Sequence, residues 1–227
     1  MEQKAPSGMR RVRNSGVFGF ALLVAILAVL PLFGLSPNAV RLLFVTFVWV
    51  TVSIAWNILG GFGGQVSFGF AVFYGLGAYA AALAVNSGLP TVLALLLSAG
   101  VAVLASLVIG LPTFRLRGPY FAIATIAVSE SVRVLMTNVS VTGGASGYRI
   151  LETGPFRQLD HFYISLALAA LALAASVQVR RSRFGLALIA IREDEDAASD
   201  LGVNPFRTKL LAHALAAALT GDRKSVV

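Results

Sequence analysis

This sequence predicts an all-α, polytopic integral membrane fold, and three observations carry the prediction. Hydrophobic residues make up 57% of the 227 positions and charged residues only 12%. With a mean hydropathy of +0.83, that is the composition of a membrane protein rather than of a soluble domain. Apolar runs near the ~20 residues needed to cross the hydrocarbon recur along the chain. Segments of that kind must satisfy their own backbone hydrogen bonds, which makes them helices. Lastly, the charges gather between the runs rather than within them. About six complete transmembrane helices, a partial seventh and one polar cytoplasmic helix are expected.

Each element follows in order. Residues 1–16 form a basic tail with Lys4, Arg10, Arg11 and Arg13, and residues 17–220 form the transmembrane domain. Val17 to Gly34 is the first span. It is longer than the apolar core of a signal peptide and further spans follow at once. Leu42 to Leu59 is the second. Four glycines then occupy the five positions Gly60 to Gly64, a density incompatible with regular helix. Val66 to Val85 is the third span, and its Gly69, Gly75 and Gly77 suit close helix approach in lipid. Leu89 to Leu111 is the fourth, closed by Arg115 and Arg117. Tyr120 to Val139, opened by Gly118-Pro119, is the fifth. It holds Glu130 and Arg133 one turn apart, the spacing of an intrahelical ion pair. Ser140 to Asp160 is a polar loop containing Thr142-Gly-Gly-Ala-Ser-Gly147, either a flexible loop or a contact for an outside partner. His161 to Val179 is the sixth span. Residues 180–209 are polar. Leu210 to Thr220 begins a seventh run about half the length of a span, and residues 221–227 fit nothing before them and read as an atypical, artefactual end.

Alternating these spans from a cytoplasmic start puts twelve basic residues inside: Lys4, Arg10, Arg11, Arg13, Arg115, Arg117, Arg180, Arg181, Arg183, Arg192, Arg207 and Lys209. Only Arg41, Arg149 and Arg157 fall outside, the asymmetry expected of a cytoplasmic N-terminus. The formal net charge of +8 is therefore a topological signal. No basic surface domain exists to bind nucleic acid. The absence of cysteine removes disulfides, thiolate nucleophiles and Cys–metal sites. His161 and His213 are far apart without spaced partners, so neither a metal nor another cofactor is expected. No phosphate-binding G-x-x-x-x-G-K-[ST] loop occurs. The chain is expected to be neither an enzyme nor the owner of a nucleotide site.

The polar stretch from Arg180 to Lys209 holds half of the ten acidic residues. Ser182 suits an N-cap, Gly202 a left-handed C-cap, and Pro205 stops a helix. Phe184, Leu188, Ile189 and Ile191 share a face, so one short amphipathic helix from Phe184 to Gly202 is expected along the cytoplasmic surface. Its Asp196-Ala-Ala198 followed by Gly202 resembles the EAA loop of ABC importer permeases, with Asp in place of Glu. A solvated surface helix between two spans would read the same way.

Three stretches in order resemble the LivM-type permeases of branched-chain amino acid ABC transporters. They are Trp56-Asn-Ile-Leu-Gly-Gly-Phe-Gly-Gly-Gln-Val-Ser-Phe-Gly through Tyr79; Gly118-Pro-Tyr-Phe-Ala-Ile-Ala-Thr through Glu130, Arg133 and Thr142–Gly147; and Arg183-Phe-Gly-Leu-Ala-Leu-Ile-Ala-Ile-Arg-Glu-Asp-Glu-Asp-Ala-Ala through Gly202. The likeness runs from about Leu42 to Thr220. It departs from the family at Phe70, where a small polar residue or His is common, and members continue through further spans, so the chain reads as C-terminally truncated.

The resemblance implies a permease subunit of an inner-membrane importer. A second permease subunit, two ABC ATPase subunits and a periplasmic solute-binding protein would be its partners, the lipid bilayer its surroundings, and branched-chain amino acids or similar small polar solutes its cargo. Arg192, Glu193, Asp196, Ala197 and Gly202 would couple it to the ATPase. Asn57, Gly61, Gly63, Gly64, Gln65 and Ser67 are candidates for the substrate pathway, because irregular backbone at membrane depth survives only buried in protein or lining a cavity and its free N–H groups suit a carboxylate. A plain turn between spans two and three is the alternative. Glu130 and Arg133 are further pathway candidates, since charges inside a span are costly; a mutual ion pair orienting the helix is the competing reading. An ATP-independent channel or secondary carrier would explain the glycine break and the ion pair, but leaves the acidic Ala-Ala-Gly helix without a role.

Overall fold

The computed structural model describes residues 19–144, 147–148 and 158–221. Every long element among them is a helix, and no strand occurs. We number them α1 (Gly19–Phe33, closing in a 3-10 turn over Leu30–Phe33), α2 (Pro37–Asn57), α3 (Ala71–Asn86), α4 (Thr91–Thr113), α5 (Pro119–Asn138), α6 (Gln158–Arg181), α7 (Arg183–Glu193), α8 (Glu195–Asp200) and α9 (Pro205–Thr220). Among the described residues α2, α4, α5 and α6 are long and apolar enough to cross a membrane, while α1 and α3 are apolar but shorter.

The starts are written locally. Pro37 and Pro205 each occupy the first helical turn, where the missing N–H costs nothing. Ser36 Oγ accepts from the Ala39 N–H at 3.3 Å, and Asn204 Oδ1 accepts from the Arg207 N–H at 3.0 Å, so both helices open on a side-chain cap.

α2 pairs with α6 and α3 with α4, while α9 is inserted against α4 and α2. Three apolar clusters hold the assembly. Val40, Phe47, Phe162, Leu166 and Ala169 join α2 to α6 at one end. Ala55, Phe70, Phe73, Ala102, Ala216 and Ala217 fill the middle around α9. At the other end Ile58, Leu59, Phe114, Phe121, Val179, Leu188 and Ala212 bring together the ends of α2, α4, α5 and α6 with α7 and α9. Gln158 Nε2 donates to the Pro37 carbonyl at 2.6 Å, fixing the far ends of α2 and α6.

Small residues set how closely α9 fits. Its buried face is Lys209, Ala212, His213, Ala216, Ala217 and Thr220, a helical stripe at i, i+3 and i+4 spacing. At its tip a Cβ on Gly221 would meet Ala102 Cβ at 2.5 Å, and one on Gly77 would meet the Gly221 carbonyl oxygen at 2.6 Å. Backbones this close are the standard means of packing helices in lipid.

Three sequence expectations change. The third span begins at Ala71 rather than Val66, because residues 63–70 are not helical. There the Phe68 N–H donates to Thr125 Oγ1 at 3.2 Å, so the segment is held by α5 instead of by its own helix. The seventh run is the helix α9, buried along one face and starting at Pro205 rather than at Leu210. The polar segment is two helices, not one from Phe184 to Gly202: Asp194, with φ −155° and ψ 115°, breaks it.

Candidate functional site

The end of the bundle where α2, α4 and α6 finish carries the helical pair α7–α8. Ser182 Oγ accepts from the Gly185 N–H at 3.1 Å and so caps α7 as expected. Gly185 is packed against the Val179 carbonyl so tightly that no Cβ fits. The turn from α6 into α7 is thereby fixed, and it aims Leu188 (0% exposed) and Ile191 (4%) into the cluster beneath. Phe184 packs against the same cluster, so Phe184, Leu188 and Ile191 of the apolar face read from the sequence are turned inward, whereas Ile189 is only half-buried and outside that cluster.

Asp194 organises α8. Its Oδ1 accepts from the Asp196 and Ala197 N–H groups, both at 2.9 Å. The helix ends in a Schellman motif. The Gly202 N–H donates to the Ser199 carbonyl at 2.9 Å and the Val203 N–H to the Ala198 carbonyl at 3.1 Å. Gly202 has φ +86°, the left-handed conformation expected of it. Ala198 is buried, whereas Ala197, Ser199 and Leu201 face outward.

Among the described residues, three polar side-chain links tie this pair to the bundle. Arg192 Nη1 donates to the Gly61 carbonyl at 3.0 Å, and its guanidinium also pairs with Glu193 at 2.6 Å. Arg117, in the turn between α4 and α5, meets Asp196 at 3.1 Å with both side chains largely exposed. Lys209 Nζ of α9 meets Glu195 Oε2 at 2.6 Å, and the lysine side chain is 1% exposed. Of the five coupling candidates, Arg192 and Asp196 therefore have partners inside the chain, Glu193 pairs with Arg192, and Ala197 and Gly202 lie on the outer side of α8.

The glycine break faces this pair. After α2 the chain widens into a π-helical turn over Ile58–Phe62, a feature frequent at functional sites. Gly64 then turns with φ +67°, and a Cβ there would meet Arg192 Cγ at 2.5 Å. A Cβ on Gly63 would touch Leu188 Cδ2 at 3.3 Å, and one on Gly61 would strike the Asn57 amide. Trp56 lies over Gly60 and donates from Nε1 to the Ser67 carbonyl at 3.0 Å. Gln65 is half-buried and Ser67 buried. The candidates Asn57 to Ser67 thus form one turn of irregular backbone seated on α7.

Glu130 and Arg133 pair with each other, with Arg133 Nε donating to Glu130 Oε2 at 2.9 Å. They lie in the second half of α5, about one and a half and two turns beyond Thr125, on the least covered of the four spans. The Thr142–Gly147 stretch begins at the last residue of a 3-10 turn over Ser140–Thr142; its Ala145 and Ser146, like Arg149 and Arg157, lie outside the described residues, as do residues 1–18 and 222–227. Among the described residues no group of His, Asp or Glu is placed to hold a metal ion. Sequence reasoning missed Lys209 as anything but a topological charge. It lies fourteen residues from Glu195, a separation with no local periodic signal.

Residues 38–221 match the family model described as branched-chain amino acid transport system / permease component. Two curated relatives carry the description high-affinity branched-chain amino acid transport system permease protein LivM, one from Salmonella typhimurium (strain LT2) and one from Escherichia coli (strain K12). Each is 30% identical over 233 residues, covering 89% of this chain and 55% of the relative. The chain thus spans about half the length of the curated relatives it matches. No solved structure matches it.

Proposed function

This chain belongs to the family of branched-chain amino acid transport permease components, and on that premise we propose that it is a permease subunit of an ABC importer. It takes branched-chain amino acids or similar small polar solutes across the inner membrane, with its N-terminus in the cytoplasm. Separate ATPase subunits drive it, a second permease subunit completes the membrane part, and a periplasmic binding protein delivers the solute. The excess of basic residues on the side assigned to α7–α8 supports the orientation.

The observation that carries the proposal is the seating of α7–α8. A surface helix pair with no mechanical task has no need to rest on a cluster fed by the ends of four spans, the turn after α2 and α9. A pair that receives force from an ATPase has that need, because coupling requires the driver to act differently on two states of the permease. Arg192, Glu193, Asp196, Ala197 and Gly202 form the receiving module. In this reading the Asn57–Ser67 turn is the inward end of the solute path, and Arg192, bonded to Gly61, ties that end to the ATPase. Glu130 and Arg133 line the path further out, because an ion pair on an otherwise apolar span is unfavourable against lipid and calls for a polar neighbour.

The test is uptake. The permease, reconstituted in proteoliposomes with its second permease, ATPase and binding protein, should accumulate labelled leucine only with ATP inside. Uptake that persists without ATP would instead establish a carrier or channel.

A further inference from the structure

We propose that the Glu195–Lys209 ion pair is a strut that makes α8 and α9 one mechanical unit, so that Lys209 is the residue through which motion of α7–α8 enters the centre of the bundle. The inference rests on the importer reading above and deepens it.

The three links from α7–α8 to the rest of the chain are not equivalent. The Arg117–Asp196 pair is 64% and 78% exposed, and the Arg192 side chain is 46% exposed. Exposed pairs contribute little and exchange readily with water. Lys209 is different: its side chain is 1% exposed and that of Glu195 25%, and the carboxylate is 2.6 Å from the ammonium. Separating a buried charge from its counter-charge is far costlier than losing a surface pair. When α8 is displaced, the exposed links can break and re-form while the buried one holds, so α9 follows α8.

The same residues say where that motion goes. Asp194 and the Schellman end make α8 a short rigid turn, with Glu195 at its start. Lys209 lies in the second turn of α9, one turn before His213. The buried His213 ring stands edge-on between Phe73 of α3 at 4.7 Å and Phe114, just after α4, at 5.1 Å between centroids. Beyond it Ala216 and Ala217 share a cluster with Phe73 of α3 and Ala102 of α4, and Gly221 meets the backbones of Gly77 and Ser98 directly. Close-packed contacts of this kind transmit displacement rather than absorb it. A push on α8 is therefore passed along α9 to the two helices that follow the glycine break.

The test uses the full transporter in proteoliposomes with three variants: Lys209→Met, the pair Glu195→Gln with Lys209→Met, and the exchange Glu195→Lys with Lys209→Glu. Methionine fills the lysine's volume without its charge, and exchanging a buried pair for uncharged side chains commonly leaves folding intact. A single Cys at Ser199, crosslinked to the ATPase, reports docking independently of transport. The uncharged pair should keep the crosslink and basal ATP hydrolysis within about twofold while solute moved per ATP falls tenfold or more, and Lys209→Met, which leaves the Glu195 charge unpaired, should show at least the same fall in solute per ATP. The exchange variant should recover most of that loss. Wild-type solute per ATP in the uncharged pair, with docking intact, would overturn the strut. If the wild-type assembly neither docks nor shows ATP-driven uptake, the importer reading falls and the strut with it.

Discussion

Gly64 is the residue on which the glycine break and α7 depend together. Its φ of +67° is in the left-handed region, and the space a side chain needs is filled by Arg192 Cγ. A Gly64→Ala change meets both obstacles: about 1–2 kcal/mol of backbone strain and a displaced Arg192, which loses the Gly61 carbonyl. We expect membrane levels near wild type and ATP-driven uptake reduced roughly tenfold, the equivalent of about 1.4 kcal/mol. Unchanged uptake would mean that the contact carries no force. Gly202 separates strain from packing, since nothing lies within 4 Å of where its Cβ would be. Gly202→Val therefore acts through the backbone alone, at φ +86°. It should loosen the end of α8 and lower stimulated ATP hydrolysis more than membrane insertion. Leu188 is fully buried in the cluster under α7. Leu188→Ala should cost about 2–5 kcal/mol of stability, visible as a lower melting temperature in detergent.

Among the elements, α8 is held by a single side chain more than by its own length. It has six residues, too few to persist without a cap. Replacing Asp194 with Ala should cost about 0.5–2 kcal/mol at that cap and speed amide exchange across Asp196–Ala198. Exchange at the wild-type rate would contradict the capping role. This element also shows what the sequence could say and what it could not. The start at Ser182, the end at Gly202 and the apolar face with Leu188 and Ile191 were all legible, because caps and periodicity are local signals. The break at Asp194 was not. In a run of four acids, Glu193 to Glu195 and Asp196, every residue tolerates helix, and only the geometry of the following turn selects Asp194 as the cap. α3 and α9 were misjudged for a different reason. Their lengths were measured against a lipid bilayer, but α9 lays a buried face of Lys209, Ala212, His213, Ala216, Ala217 and Thr220 against its neighbours, and a window of apolar residues does not show that face. Residues 66–70 leave the helix because Thr125 of α5, some sixty positions away, offers their backbone a partner.

For the whole molecule, the fold class was legible because composition and span length are global properties. The meeting of α2, α4, α5, α6, α7 and α9 in one cluster was not, since it is a product of packing. In that cluster a helix pair on one surface rests on the ends of the spans, and the ion pair of buried Lys209 with half-buried Glu195 connects it to α9. The orientation we propose rests on twelve basic residues on one side against three on the other, and under that proposal α7–α8 lies on the side of the ATPase. The absence of cysteine makes the most direct test simple. A single Cys replaces exposed Ser199 on α8, a second is placed in the groove of the ATPase subunit, and crosslinking is followed in native membranes with and without ATP. The account predicts a crosslink whose yield changes at least severalfold with nucleotide. A permease that inserts normally and never crosslinks, or crosslinks equally in both conditions, would contradict it.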